Sequence, residues 1–393
     1  MRTILTAARL LTPNEVVERP VVALDDGVIA SISARNGAEL PPGRHVDFPD
    51  CTLIPALFDV HIHGSGGRDS MEATDSALNV IGKFLARRGV GAYFATTVTA
   101  PVDTLLRSLS ALVKLLHAPL EGARPLGIHL EGPFLSPHKR GCHVESQLLT
   151  PSVALFDRLW QAAEGHIRLL TIAPELPGAE ETIAHATKLG VRISLGHSNA
   201  QGDAARRGIA AGAASATHTF NAMRAFDHRD PGLLAEVLTN DGLFAEIICD
   251  GLHVDPAAVR LFRRAKGRDR AMLVTDAMAG AGMPDGHYRL GEMDVRVING
   301  RCVAGDDEKT LAGSTLTLDR AVRNYAEFTG APLTEAVGLA TRNPARMTGL
   351  DAEIGSLAPG RSADIAVLSP KNEVLETFLR GRPCVSDAVT FNG

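Results

Sequence analysis

The chain has 393 residues, with 40 Lys and Arg against 45 Asp and Glu, a net charge of −5 at pH 7. That balance excludes a nucleic-acid binder working by bulk positive charge, and 22% charged with 45% hydrophobic residues excludes a disordered chain. Five cysteines (Cys51, Cys142, Cys249, Cys302 and Cys384), never spaced as CxxC, argue against a disulfide framework or a cysteine zinc site and for a reducing compartment.

In chain order, the first 55 residues read as short strands: Thr3–Leu5, Val21–Leu24 and Val28–Ile32, with a turn at Asp25-Asp26-Gly27. The apolar tract near the N-terminus is broken by Arg9 and is too short for a secretory h-region. No apolar run reaches the roughly 18 residues a membrane span needs. A cytoplasmic protein without membrane partners is the expectation. The tail repeats the texture of the start in Asp364–Leu368 and Val374–Leu379. Both ends together suggest one small β-sandwich domain, residues 1–54 plus 350–393.

Residues 55–349 alternate between apolar runs and helical segments. The runs are Leu53–Val60, Gly91–Val98, Leu126–Leu130, Ile167–Ala173, Val191–Leu195, Ala213–Thr217, Phe244–Cys249 and Ala271–Thr275. Between them, 75–88 and 102–117 carry leucines at helical spacing, and Pro231 and Pro256 mark helix starts. Eight strand–helix units predict a (β/α)8 barrel of the TIM type, whose strands are buried on both faces. An open doubly wound sheet is disfavoured, because no G-x-G-x-x-G follows an early strand. Near 285–311 an insertion reads as a β-ribbon turning at Asn299-Gly300, either a lid or a surface hairpin.

The strand ends carry the chemistry. The runs finish in His61-Ile62-His63, His129-Leu130-Glu131, Gly196-His197-Ser198, His218, Asp250-Gly251-Leu252-His253 and Asp276. In a barrel these ends converge on one mouth, and His61 and His63, two apart on a strand, point the same way. Histidines and carboxylates meeting in one cavity point to a divalent metal site. His45, His117, His166, His185 and His287 lie off the strand ends and read as ordinary histidines.

The segments Phe58-Asp59-Val60-His61-Ile62-His63-Gly64, Gly127-Ile128-His129-Leu130-Glu131-Gly132-Pro133-Phe134, Leu195-Gly196-His197-Ser198-Asn199-Ala200 and Ala216-Thr217-His218-Thr219-Phe220-Asn221-Ala222-Met223 occur in order. With Asp250-Gly251-Leu252-His253-Val254, Val274-Thr275-Asp276-Ala277 and Leu311-Ala312-Gly313-Ser314, the chain resembles the amidohydrolase superfamily and, within it, the N-acetylglucosamine-6-phosphate deacetylases. The resemblance implies one or two divalent ions, zinc first, with iron, manganese or cobalt open. It implies His61, His63, Glu131, His197, His218 and Asp276 as the metal site. It further implies hydrolysis of N-acetyl-D-glucosamine 6-phosphate to D-glucosamine 6-phosphate and acetate by a metal-activated water. Asp276 would act as general base and then acid, and His143 would contact the substrate and polarise its carbonyl. Asn221, Ala222, Arg229 and His253 would bind the substrate, with Leu311, Ala312 and Gly313 beside them. Arg229 would reach the phosphate across a homodimer interface. Deacetylation of N-acetylgalactosamine 6-phosphate stays open. Dihydroorotase or deaminase chemistry, a sugar-phosphate binding module and a non-catalytic scaffold on this barrel are the more distant readings.

Overall fold

The computed structural model describes residues 2–12, 15–37, 39–305 and 307–384. Part of the tail assigned to the end domain, 385–393, lies outside the described residues.

Eight strands form the expected barrel in chain order: Leu57–Ile62, Val90–Thr97, Arg124–Glu131, Ile167–Ile172, Arg192–Leu195, Ala213–Ala216, Phe244–Ile248 and Ala271–Val274. Each pairs in parallel with the next. A bridge between Ile62 and Ala277 joins last to first, reinforced by the Asp276 N–H donating to the His61 carbonyl at 2.9 Å. Every residue of Val90–Thr97 is buried, which is why such strands read as unbroken apolar runs. Helices cover the outside. Asp75–Ala86 starts at Thr74, whose hydroxyl caps the Ala77 N–H, and buries Leu78, Ile81 and Leu85. Val102–Leu116 buries Leu105, Leu109, Leu112 and Val113 on one stripe. Burying each such leucine stabilises the fold by about 1.5–3 kcal/mol before entropy is counted. The two prolines fall as expected: Pro231 precedes Gly232–Thr239, and Pro256 opens Pro256–Arg270 behind an Asp255 cap.

One correction concerns the first run. Leu53–Val60 is not a single strand. Leu53–Pro55 ends the long strand Arg44–Pro55 of the end sheet, and Leu57–Ile62 begins the barrel. The chain changes sheets at Ala56, whose N–H donates to the Asp364 carbonyl at 2.9 Å, while the Leu57 N–H donates to Gly89 at 2.8 Å. Both sheets bury this segment, so hydrophobicity carries no trace of the switch.

The end sheet runs Arg382–Pro383, Val374–Leu379, Ile365–Leu368, Arg44–Pro55, Thr3–Leu11, Pro20–Asp25, Val28–Ala34, with Val16–Glu18 on the edge of Thr3–Leu11. It encloses its own core of Leu5, Leu10, Val22, Ile29, Leu53, Ile365, Val367 and Phe378. Asp26 and Gly27 both take positive φ (48° and 85°), the two-residue hairpin geometry expected at that turn.

The insertion is a four-stranded antiparallel ribbon of Gly286–Leu290, Met293–Ile298, Arg301–Ala304 and Asp307–Leu311. The polar strand Asp307–Leu311 was not expected from sequence. No described helix is long and apolar enough to cross a membrane.

Candidate active site

Where the strands end, their polar residues meet. Glu131, at the tip of the third strand, is the hub. Its Oε1 lies 3.4 Å from His61 Nε2, 3.3 Å from His197 Nε2 and 3.3 Å from His218 Nε2. Its Oε2 lies 3.2 Å from His63 Nε2 and 3.7 Å from His143 Nε2. Asp276 Oδ1 is 3.1 Å from His63 Nε2 and 3.5 Å from His61 Nε2. The two later histidines face each other, Nε2 to Nε2, at 3.0 Å. All six expected metal-site residues are therefore brought together.

The backbone is bent to present them. His197, His218 and Asp276 all have positive φ (46°, 27° and 50°), as does Ala222 (49°). Left-handed backbone at non-glycine residues costs about 1–3 kcal/mol each and persists only where neighbours over-determine it. Here the Ser136 N–H donates to the His197 carbonyl at 2.9 Å, Asn221 N–H to His218 at 3.0 Å and Ser314 N–H to Asp276 at 2.7 Å. Glu175 braces the turn after His197, accepting from the Ser198 hydroxyl at 2.7 Å and the Asn199 N–H at 2.6 Å.

Outer partners orient the imidazoles. His61 Nδ1 lies 3.1 Å from Glu246 Oε2, and His197 Nδ1 lies 2.9 Å from the Lys139 carbonyl. Because a carbonyl only accepts, His197 carries its hydrogen on Nδ1 and turns an Nε2 lone pair inward. His143 is set the other way. Its Nδ1 accepts from the Thr99 N–H at 3.4 Å, which leaves the hydrogen on Nε2, facing the cavity. Asp59, beneath the first strand, accepts from the Thr275 hydroxyl at 2.6 Å. Burial pushes its carboxyl up to about 7 against the pull of that bond.

The residues present fit a divalent cation. His61 Nε2 and Glu131 Oε1 are buried with no hydrogen-bond partner. Donor atoms around a tetrahedral ion at about 2.0–2.1 Å sit roughly 3.3 Å from one another, close to the separations above. The charge agrees. Burial alone would lower the pKa values of His61 and His63. Glu131 and Asp276 outweigh it and raise His61 well above its usual range and His63 to about 9. Burial would conversely raise the two carboxyls, yet the histidines hold both far below theirs. The pocket thus favours added positive charge. Two groupings have metal-ligand spacing: His61, His63 and Asp276, and Glu131, His143 and His197.

A cavity of about 280 Å³ opens over this floor. His63, Glu131, His143, His197, His218, Asn221, Ala222, His253, Asp276, Leu311 and Gly313 all line it, whereas His61 lies beneath. Asp250 Oδ2 sits 2.7 Å from His253 Nδ1; burial lowers the imidazole pKa, but this carboxylate outweighs it, and the net shift is upward. Two expected substrate residues are placed elsewhere. Ala312 is buried in an apolar cluster with Val98 and Met278, its N–H donating to the Cys302 carbonyl at 3.1 Å. Arg229 is on an exposed loop outside this cavity.

Three residues had no sequence signal. Lys309 and Thr310, on the ribbon's unexpected strand, line the cavity together with Leu290. The ribbon is therefore a wall of the site, not a detached hairpin, and Lys309 is the one lysine or arginine among the described lining residues. Glu246 was hidden inside an apolar run. A larger groove of about 810 Å³ lies between the end sheet and Arg342, Arg346 and Arg361, but it gathers no comparable histidine–carboxylate cluster among the described residues.

The amidohydrolase family matches residues 52–384. The chain is 35% identical over 376 residues to N-acetylglucosamine-6-phosphate deacetylase of Bacillus subtilis, covering 95% of this chain and 94% of that protein. It is 37% identical over 385 residues to N-acetylgalactosamine-6-phosphate deacetylase of Escherichia coli O157:H7, covering 97% and 99%. Among solved structures, N-acetyl-D-glucosamine-6-phosphate deacetylase from Mycobacterium smegmatis, in complex with N-acetyl-D-glucosamine-6-phosphate, superposes with a TM-score of 0.92 at 35% identity, covering 98% of this chain and all of that one.

Proposed function

This chain belongs to the amidohydrolase family, and we propose that it is a metal-dependent deacetylase converting N-acetyl-D-glucosamine 6-phosphate to D-glucosamine 6-phosphate and acetate. The observation that carries the reading is the convergence of four histidines on buried Glu131 at the barrel mouth, two of them shared with Asp276.

His61, His63, Glu131, His197, His218 and Asp276 would hold one or two divalent ions, zinc fitting a nitrogen- and oxygen-rich donor set, with iron, manganese and cobalt as alternatives. Bound there, a divalent ion activates water at neutral pH and polarises an amide carbonyl. This chain's residues do the rest. His143, with its hydrogen on Nε2, donates to the acetamide oxygen as charge builds there. Asp276 is held ionised and so is able to take the proton of the attacking water. It then returns that proton to the departing nitrogen, which leaves as an amine rather than as an amide anion. His253, whose pKa Asp250 raises, the Asn221–Ala222 segment and Lys309 take the phosphate, while Leu311 and Gly313 wall the sugar. Arg229 serves the cavity of the other subunit of a homodimer. All five cysteines are unpaired, which supports a reducing, cytoplasmic setting.

A second reading, deacetylation of N-acetylgalactosamine 6-phosphate, is favoured by the Escherichia coli relative. Acetate release from both phosphorylated epimers and from unphosphorylated N-acetylglucosamine decides between them. The highest kcat/KM is expected on N-acetylglucosamine 6-phosphate, with a loss of at least tenfold without the phosphate. A preference for the galacto epimer selects the second reading, and no turnover of either phosphate contradicts both.

A further inference from the structure

We propose that Glu246 is a positioning residue that ties together the two halves of the metal centre, an inference that rests on the metal reading above. Glu246 lies in the middle of the seventh barrel strand, Phe244–Ile248, whose other members are Phe, Ala and Ile, and it is 0% exposed. A carboxylate taken fully out of water is strongly disfavoured unless its oxygens are engaged. One oxygen has two partners from different parts of the site. Oε2 lies 3.1 Å from His61 Nδ1 and accepts the backbone N–H of His218 at 3.2 Å. The same residue's carbonyl accepts the Thr219 N–H at 2.8 Å. Its Oε1 is buried without a protein partner.

The two groups it holds belong to different clusters. His61 stands with His63 and Asp276, whereas His218 faces His197 at 3.0 Å. Accepting a hydrogen at His61 Nδ1 leaves the Nε2 lone pair aimed at the site's interior, and an anionic partner makes that nitrogen a stronger donor. Accepting the His218 N–H helps hold a backbone whose φ is 27°, and so fixes the point from which the ring projects toward Glu131. Glu246 thus acts on both halves of the centre without itself reaching the cavity, whose lining it does not join.

The test is metal binding rather than turnover. Purified full-length protein and its Glu246→Gln variant are stripped by chelation and titrated with Zn²⁺ or Co²⁺. Affinity is read by competition with a chromophoric chelator and occupancy by elemental analysis. Thermal melting of the stripped proteins runs alongside. Glutamine keeps the shape but loses the anionic acceptor, so affinity is expected to fall about 10- to 100-fold, the usual effect of removing an outer partner of a metal-bound histidine. Melting of the stripped proteins is expected to stay alike. Unchanged affinity, with or without a lower melting temperature, overturns the inference and leaves Glu246 a structural carboxylate. If the glutamine variant does not fold, Glu246→Asp, which withdraws the carboxylate by one methylene, is read by the same criterion. Failure of the unaltered chain to take up either ion would overturn the metal reading itself, and this inference with it.

Discussion

His253 is a histidine whose surroundings decide its use. Burial lowers its pKa, but the Asp250 carboxylate at 2.7 Å, helped by Asp276, raises it above the usual 6.5. The sign follows from linkage. The folded protein binds this proton more tightly than the unfolded chain, so the associated stability is fully present below the unfolded value and is lost as pH rises through the folded one. In the phosphate-binding role proposed for His253, affinity for the phosphate follows the same direction. Asp250→Asn is expected to shift the alkaline rise in KM for the phosphorylated sugar to lower pH, leaving the unphosphorylated sugar's profile in place; superimposable profiles for variant and parent would refute this. His253 was legible in the sequence because a polar residue just after an apolar run stands at a barrel mouth. Glu246 was not, because a lone charge inside Phe244–Cys249 looks the same whether it faces solvent or a buried imidazole. His129 shows the opposite limit. It adjoins the ligands in sequence, yet its Nε2 is 2.8 Å from Thr171 Oγ1 and burial drives its pKa well down, marking a neutral packing histidine.

At the level of elements, the ribbon forms one wall of the barrel mouth. Its first turn is tied to the first strand–helix loop by Asp69, whose carboxylate accepts the Gly291 N–H at 2.9 Å and the Met71 N–H at 2.7 Å. Its last strand brings Lys309 and Thr310 to the cavity. Because Lys309 would touch the phosphate equally in ground and transition states, Lys309→Met should raise KM several-fold with kcat nearly unchanged. Steady-state kinetics with both sugars checks this, and an unaltered KM would remove Lys309 from the phosphate site. The apolar strands of the ribbon and the Asn299-Gly300 turn were readable, the latter because both residues adopt positive φ (50° and 74°). Asp307–Leu311 was unreadable because Asp-Glu-Lys-Thr-Leu lacks the alternation that marks a half-buried strand.

Across the whole molecule, a barrel and a sheet made from both chain ends meet at Asp364. Its carboxylate takes Arg124 Nη2 at 2.7 Å and the Arg380 N–H at 2.7 Å, and the Thr377 hydroxyl donates to the Ala86 carbonyl at 2.6 Å nearby. Removing one side of so sheltered a pair leaves the other charge unpaired. Asp364→Ala is therefore expected to cost about 2–4 kcal/mol, seen as a fall of several degrees in melting temperature; an unchanged transition would show that the contact does not hold the two sheets together. The alternation of eight apolar runs with helices made the barrel legible, and strand-like texture at both ends foretold their sheet. The crossing at Ala56 was invisible because burial is continuous through it. In the proposed function, hydrolysis occurs at the barrel mouth, depends on a divalent ion and passes its proton through Asp276. The most direct measurement is acetate release from N-acetylglucosamine 6-phosphate by the parent chain and by Asp276→Asn, as purified, after chelation and with a divalent metal returned. Chelation is expected to abolish the parent's activity and returned metal to restore it, while the variant stays at least about 100-fold slower throughout. Undiminished turnover by the chelated parent, or near-full activity in the metal-loaded variant, would contradict it.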